Sequence, residues 1–275
     1  MRARDCNRGN NMEHTRRDFM VLAGAGATAL AAQVVGQPGV EGDHGSAPAR
    51  VMAIAAHPGD GFFSMGAPVA LAAAQQGAGC FLNLSLGSRG SATIPAPRYG
   101  AMQRNASEQA AQKLRSQALF LDYEDGEIPV NDEIKFAVCD KIREFQPSVV
   151  ITHWKGSWHK DHQACHAIVE DAIFYAGLPA ITRSRPAHSV GKTWFPWNWE
   201  DADGFRADTY LDITPVYEPW MEACALFPMW RGENGFRYND YYQSHAVATG
   251  CLCGAKYAVA LMSPPEQLVR HLQAM

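Results

Sequence analysis

Val51-Met52-Ala53-Ile54-Ala55-Ala56-His57-Pro58-Gly59-Asp60-Gly61 decides the fold. Its first six residues form a short continuous apolar run, which suits a strand buried on both faces. Pro58, Gly59 and Gly61 then turn the chain, with His57 and Asp60 held in the turn. A second run, Ser148-Val149-Val150-Ile151-Thr152, leads through a loop to His159-Lys160-Asp161-His162. Each stretch sets His and Asp where a buried strand releases the chain into a helix. Open α/β sheets keep their ligand crevice at such strand ends.

Working outward, helical composition follows the first turn from Phe62 to Gln76, with Gly77 as the stop. Pro68 is awkward inside that span and marks a late start or a kink. Cys80–Ser85 reads as a second strand, Gly87–Pro97 as a loop, Met102–Arg115 as a helix and Ala118–Leu121 as a short strand. Asn131 or Asp132 caps a helix reaching Glu144, which Pro147 breaks. Asp161–Ala176 carries Ile168, Ala172 and Tyr175 on one helical stripe. Strands alternating with helices predict an α/β fold with a parallel sheet wrapped by helices. Beyond Gly177 the pattern loosens. Trp194-Phe195-Pro196-Trp197-Asn198-Trp199 reads either as a packed surface loop or as an aromatic substrate platform. Tyr210–Ile213 is a late strand, and Thr214 with Pro215 starts another helix.

The chain has 275 residues, 47% hydrophobic and 19% charged, with a formal net charge of -4. That is a globular composition without a basic stripe, so nucleic acid is not an expected partner. The amino end differs. Arginines at 2, 4, 8, 16 and 17 precede an apolar Gly/Ala-rich stretch from Phe19 to about Val35, with a small-x-small exit at Ala29-Leu30-Ala31. Paired Arg16-Arg17 resembles a twin-arginine export signal. The expected organisation is a signal peptide over 1–31, a flexible linker over 32–49 and a single domain over 50–275. The expected location is periplasmic or extracellular, with membrane contact only during export. The alternative is retention as an anchor. Of seven cysteines, Cys6 leaves with the signal, and the others read as free, mostly buried thiols. The sequence is compatible with an oligomer and names none.

Imidazole and carboxylate together suit Zn²⁺ and other first-row divalent ions. Alone, His57 and Asp60 are an ordinary turn pattern. His162 completes a two-His, one-carboxylate set that leaves a coordination position open to water. Asp161 can orient an imidazole, and His159 can hold a proton near a developing oxyanion. The bland alternative is a histidine-rich polar loop, and His166, one turn beyond His162, fits that reading.

The chain resembles the LmbE-like, or PIG-L, de-N-acetylases. The family shows Ala-His-Pro-Asp-Asp-Glu after a strand and His-Pro-Asp-His after a later one. Ala56-His57-Pro58-Gly59-Asp60-Gly61 and His159-Lys160-Asp161-His162 stand in those places. Leu84–Gly90, Asp122–Glu127 and Tyr210–Thr214 are similar to further family segments, so the resemblance runs from about Val51 to Ala260. It implies a Rossmann-like α/β fold, a mostly parallel sheet flanked by helices, and zinc-dependent hydrolysis of an N-acetyl group on a small-molecule or glycan substrate, usually an amino sugar. The implied metal ligands are His57, Asp60 and His162, with His159 stabilising the oxyanion or acting as general acid beside Asp161. Arg104 and Asp125 are the implied substrate contacts.

One departure matters most. The family's general base is the first Asp of its Asp-Asp pair, and that position here is Gly59. Gly61 replaces the following Glu, and Lys160 the second motif's Pro. Loss of a general base costs about 10²–10⁴-fold in rate. Three explanations stay open. Another acid (Asp125, Glu124 or Asp161) supplies the base, the metal acts with less help on an easier substrate, or the site serves binding or a different reaction. The expected function is an exported metal-dependent deacetylase. The alternatives are a non-catalytic, metal-containing carbohydrate-binding protein and a different metal-assisted glycoside cleavage.

Overall fold

The computed structural model describes residues 47–265, so the signal-peptide reading and most of the linker reading lie outside the described residues. Seven strands form one sheet in the order β3-β2-β1-β4-β5-β7-β6. These are β1 (Arg50–Ala55), β2 (Ala78–Ser85), β3 (Ser116–Tyr123), β4 (Val149–Thr152), β5 (Lys192–Pro196), β6 (Thr209–Asp212) and β7 (Ala258–Met262). The first five are parallel neighbours, and β7 runs antiparallel to both β5 and β6. The sheet is therefore mostly parallel and flanked by helices, as the sequence pattern predicts. Chain order proceeds from β1 outward through β2 and β3, then returns to β4 on the other side of β1. The switch point lies between β1 and β4. Their register pairs Ile54 with Thr152, and the Thr152 hydroxyl donates to the Ile54 carbonyl at 2.8 Å. The two His/Asp turns consequently emerge side by side.

The period-two alternation of β1 divides the core. Val51, Ala53 and Ala55 pack on one face with residues of α1 (Pro58–Phe63), α2 (Gly66–Ala74), α3 (Ala96–Lys113), α6 (Tyr217–Cys224) and α7 (Tyr238–Cys253). Met52, Ile54 and Ala56 pack on the other with α4 (Asp132–Phe145) and α5 (Lys160–Gly177). Ile168 and Ala172 are fully buried there. Asn131 caps α4 by accepting the Ile134 N–H at 3.1 Å.

Several local expectations change. The span from Phe62 to Gln76 holds two helices, and Pro68 sits in the first turn of the second, where its missing N–H has no helical partner to lose. The residue with positive φ after α2 is Gln76, at 66°. Gly77 serves close approach instead, since a Cβ there would stand 2.0 Å from the Ala49 carbonyl oxygen. Thr214 does not cap a helix with its side chain. Its backbone N–H donates to Asp212 Oδ1 at 2.8 Å, and a 3₁₀ turn leads into α6. The first half of the aromatic run, Trp194–Pro196, lies in strand β5, and Trp199 opens a 3₁₀ turn. The α7 helix and β7 strand went unread because neither shows a clean apolar period. Cys80, Cys139, Cys165 and Cys224 are buried free thiols, whereas Cys251 and Cys253 are exposed.

His245 on α7 stacks against Trp197, with centroids 5.7 Å apart and planes 5° from parallel. Burial pulls its imidazole down to about 4. An unfolded chain protonates His near ~6.5, so below that value it binds more protons than the folded one. This contribution to stability is complete above ~6.5 and is lost as pH falls towards 4. Urea midpoints should decline through that window, and His245→Phe should flatten this part of the slope.

Candidate functional site

His57 is the N-cap residue of α1, with extended backbone, and Asp60 lies in that helix's first turn. Their rings and carboxylate meet, His57 Nδ1 standing 2.9 Å from Asp60 Oδ2. From the neighbouring strand end, His162 places Nε2 3.1 Å from the same oxygen. His57 Nδ1 and His162 Nε2 thus each lie against Asp60 Oδ2, although these three residues together are not one of the compact donor groups among the described residues. The two distances are near the ~3.3 Å that separates ligands held at about 2.0–2.1 Å around one tetrahedral ion.

Partners on the far side of each ring fix its orientation. His57 Nε2 lies 3.2 Å from Asp125 Oδ1 and 3.3 Å from Asp161 Oδ2. Asp161 is fully buried, also accepts the Gly126 N–H at 2.7 Å, and leaves Oδ1 without a partner. Asp201 holds two histidines at once, Oδ1 2.7 Å from His162 Nδ1 and Oδ2 2.8 Å from His153 Nδ1. The Ala56 N–H donates to His153 Nε2 at 3.2 Å, which uses that lone pair and fixes the proton on Nδ1. His153 therefore belongs to the frame, although Asp60, His153 and His162 form one of three compact donor groups among the described residues. The other two are His57–His159–His162 and His57–Asp125–Asp161. His166 is structural, its Nδ1 bonded to the His153 carbonyl at 2.9 Å.

His159 caps α5, its Nδ1 accepting the Asp161 N–H at 3.2 Å. The neutral ring then carries its proton on Nε2. Burial, with repulsion from His162 and His57, keeps it neutral by lowering it to about 4. Burial alone would also lower His162, but the Asp60 and Asp201 carboxylates outweigh it and raise the imidazole to about 10. Likewise Asp60 is held well below the usual carboxylate range, burial being offset by His162 and His57. The orphaned Asp161 oxygen and this excess of carboxylates show that the residues fit a divalent metal.

The cluster floors a cleft of about 530 Å³. Trp158, Trp199, Phe236 and Tyr238 wall it; Trp199 stacks on Phe236 at 4.5 Å and meets Trp158 at 5.7 Å. Of the aromatic run, Trp199 lines this cleft, while Phe195 is buried against Trp154. Glu200 also faces in, with Oε2 4.0 Å from His162 Nε2. Burial and the neighbouring Asp60 push its carboxyl up to about 7.

Arg104 is a correction. It pairs with Asp122 and stacks over the Phe120 ring at 4.2 Å, away from the cleft lining. Arg89 occupies the cleft instead, its N–H donating to Asp125 Oδ2 at 2.6 Å and its guanidinium to the Asp125 carbonyl and Glu127, each at 2.7 Å. Asp125 lines the cleft with its carboxylate committed to Arg89 and His57. At Gly59, a Cβ would lie 2.9 Å from Met229 Sδ, so a thioether fills the space beside that position. Arg89, His153, Glu200, Asp201 and Met229 escaped the sequence reading. The Glu200–Asp201 pair carried a usable signal, because it follows β5 as His57 follows β1, at the same edge of the parallel strands.

Residues 52–173 match the family described as PIG-L, GlcNAc-PI de-N-acetylase. A diacetylchitobiose deacetylase of Thermococcus kodakarensis is 24% identical over 156 residues, covering 53% of this chain and 55% of the relative. The chain thus matches about half the length of that relative. Among solved structures, the 4-carboxy-2-hydroxymuconate hydratase GalB of Pseudomonas putida KT2440 shares the fold with a TM-score of 0.72 and 20% identity, covering 81% of this chain and 99% of that one. The N,N′-diacetylchitobiose deacetylase of Pyrococcus horikoshii does so with a TM-score of 0.65 and 18% identity, covering 80% and 88%. Over residues 52–173 this chain is thus similar to the PIG-L de-N-acetylases, and its fold is shared by solved structures that include a deacetylase.

Proposed function

We propose that this protein is an exported, metal-dependent amide hydrolase that removes the acetyl group from N-acetylated sugars or glycoconjugates. The observation that carries the reading is the convergence of His57 Nδ1 and His162 Nε2 on Asp60 Oδ2, at 2.9 and 3.1 Å, on the floor of an aromatic-walled cleft. These three residues would hold the ion, Zn²⁺ by the chemistry of the donor set. When bound, it supplies Lewis-acid polarisation of the acyl oxygen and of water. Asp125 and Asp161 keep His57 oriented, and Asp201 keeps His162 oriented. His159 donates a hydrogen bond from Nε2–H to the oxyanion as the carbonyl carbon becomes tetrahedral and keeps its proton, because the neutral ring has no second one to give. Trp158 and Trp199 offer ring faces to a sugar's C–H groups. The export reading rests on the paired arginines and the apolar stretch after them.

Acetate release from N,N′-diacetylchitobiose, with metal content measured on the same sample, tests the proposal. Dialysis against a chelator should abolish release, and added Zn²⁺ should restore it. A protein that binds the metal but releases no acetate from N-acetylated glycans would be a metal-containing carbohydrate-binding protein. The thioether beside Gly59 favours that second reading.

A further inference from the structure

Gly59 has no side chain, and Met229 fills the space beside it. The other carboxylates around the cleft are committed. Asp60 sits between two imidazoles, Asp125 and Asp161 each hold His57 and a backbone N–H, and Asp201 holds His153 and His162. Glu124 and Glu127 turn outward onto Arg89, their side chains 74% and 63% exposed. Asp161 Oδ1 has no partner but is buried outside the cleft lining, so none of the acids named from the sequence (Asp125, Glu124, Asp161) is both free and in the cleft.

Glu200 remains. Its side chain is 12% exposed and lines the cleft, with Oε2 4.0 Å from His162 Nε2. Among the described residues its carboxylate accepts no hydrogen bond, so its lone pairs are available to a water in the cleft. Its backbone is fixed on both sides. The N–H donates to Asn198 Oδ1 at 3.2 Å, and the carbonyl accepts from the Ser157 hydroxyl at 3.0 Å and the Trp158 N–H at 3.1 Å. Asp201, the next residue, is clamped by two histidines.

We infer that Glu200 is the catalytic carboxylate that replaces the base missing at position 59, receiving the proton of the attacking water. The inference rests on the deacetylase reading. Water oxygen bonds to the acyl carbon while one of its protons passes to Glu200 Oε2. The carbon–nitrogen bond then breaks, nitrogen leaves with its electron pair, and the proton held on Glu200 passes to it, which restores the carboxylate. The products are acetate and the free amine, with no change of oxidation state. A base reaching the site from β5 rather than from the first turn leaves α1 free to carry glycine at 59.

The test uses the zinc-loaded protein and its Glu200→Gln and Glu200→Ala variants, with N,N′-diacetylchitobiose as substrate. Metal stoichiometry, kcat and KM are measured, with and without formate. Glu200→Gln should keep the wild-type metal content and a KM within about threefold, while kcat falls about 10²–10⁴-fold. Formate should restore turnover to Glu200→Ala, which opens room for a small carboxylate, and leave Glu200→Gln unchanged. Unaltered kcat in Glu200→Gln overturns the inference and leaves the deacetylase reading standing. Loss of metal along with activity makes Glu200 a ligand or a support, and equally overturns it. A wild-type protein that holds zinc but releases no acetate overturns the deacetylase reading and this inference together.

Discussion

His162→Ala yields a protein that purifies without stoichiometric zinc. His162 supplies Nε2 from a ring almost fully buried, 3.1 Å from Asp60 Oδ2, and the neighbouring His153 cannot take its place. His153 stacks beside it at 3.9 Å but has committed Nε2 to the Ala56 N–H. Removing a partner that only orients a ligand costs about 10–100-fold in metal affinity. That is the loss expected for Asp201→Asn, which leaves His162 in place but replaces the carboxylate that fixes its Nδ1 proton. His162→Ala removes a ligand atom outright and should lose more than this. Competition with a chromogenic chelator gives both affinities, and circular dichroism checks that each variant is folded. Wild-type zinc affinity in His162→Ala would remove His162 from the ligand set.

Arg143→Met destabilises the fold by about 4 kcal/mol or more, in the range reserved for broken buried networks. Arg143 lies on α4 and is 2% exposed, yet no carboxylate neutralises it within the salt-bridge contacts of the described residues. Its guanidinium donates instead to the carbonyls of Tyr175, Leu178 and Ile181, each at 2.9 Å, to Ala176 at 3.1 Å and to Arg185 at 3.3 Å. Three of these oxygens belong to the end of α5, where helix carbonyls lack intrahelical partners and the helix dipole favours positive charge. Methionine fills part of the volume and removes all five charge-assisted bonds, although the Tyr175, Ala176 and Leu178 carbonyls each keep a backbone N–H partner. Lysine recovers little, because an ammonium cannot reproduce the fork that reaches five acceptors. Urea unfolding with an unchanged slope and a lowered midpoint is the measurement. A midpoint within error of wild type would show that water reaches these carbonyls.

How far the site was legible follows from where its residues lie. His57, Asp60, His159, Asp161 and His162 sit within local signals, each after an apolar run and at a helix start. Strand ends and caps are written in a few adjacent residues, and the parallel pairing of β1 with β4 brings them together. Arg104 lies outside the cleft lining, and nothing in the sequence of its helix says which face meets the cleft. In the structure its guanidinium faces Asp122. Nothing in Lys141-Ile142-Arg143-Glu144 marks Arg143 as buried, because the carbonyls that hold it come from another helix and the loop beyond.

The sequence by itself determined the α/β class, the two His/Asp turns and the absence of a carboxylate at position 59. Hydrophobic period, turn residues and motif order are local, and they survive without knowledge of packing. Only the tertiary structure decided which acids are spent and which is free. Asp125 and Asp161 are occupied by a ring they do not neighbour in sequence. Glu200 and Asp201 reach the metal cradle because β5 runs parallel to β4 and ends at the same edge. Met229 arrives beside Gly59 from a distant 3₁₀ turn. Each of these depends on long-range pairing, for which a single sequence carries no local signature.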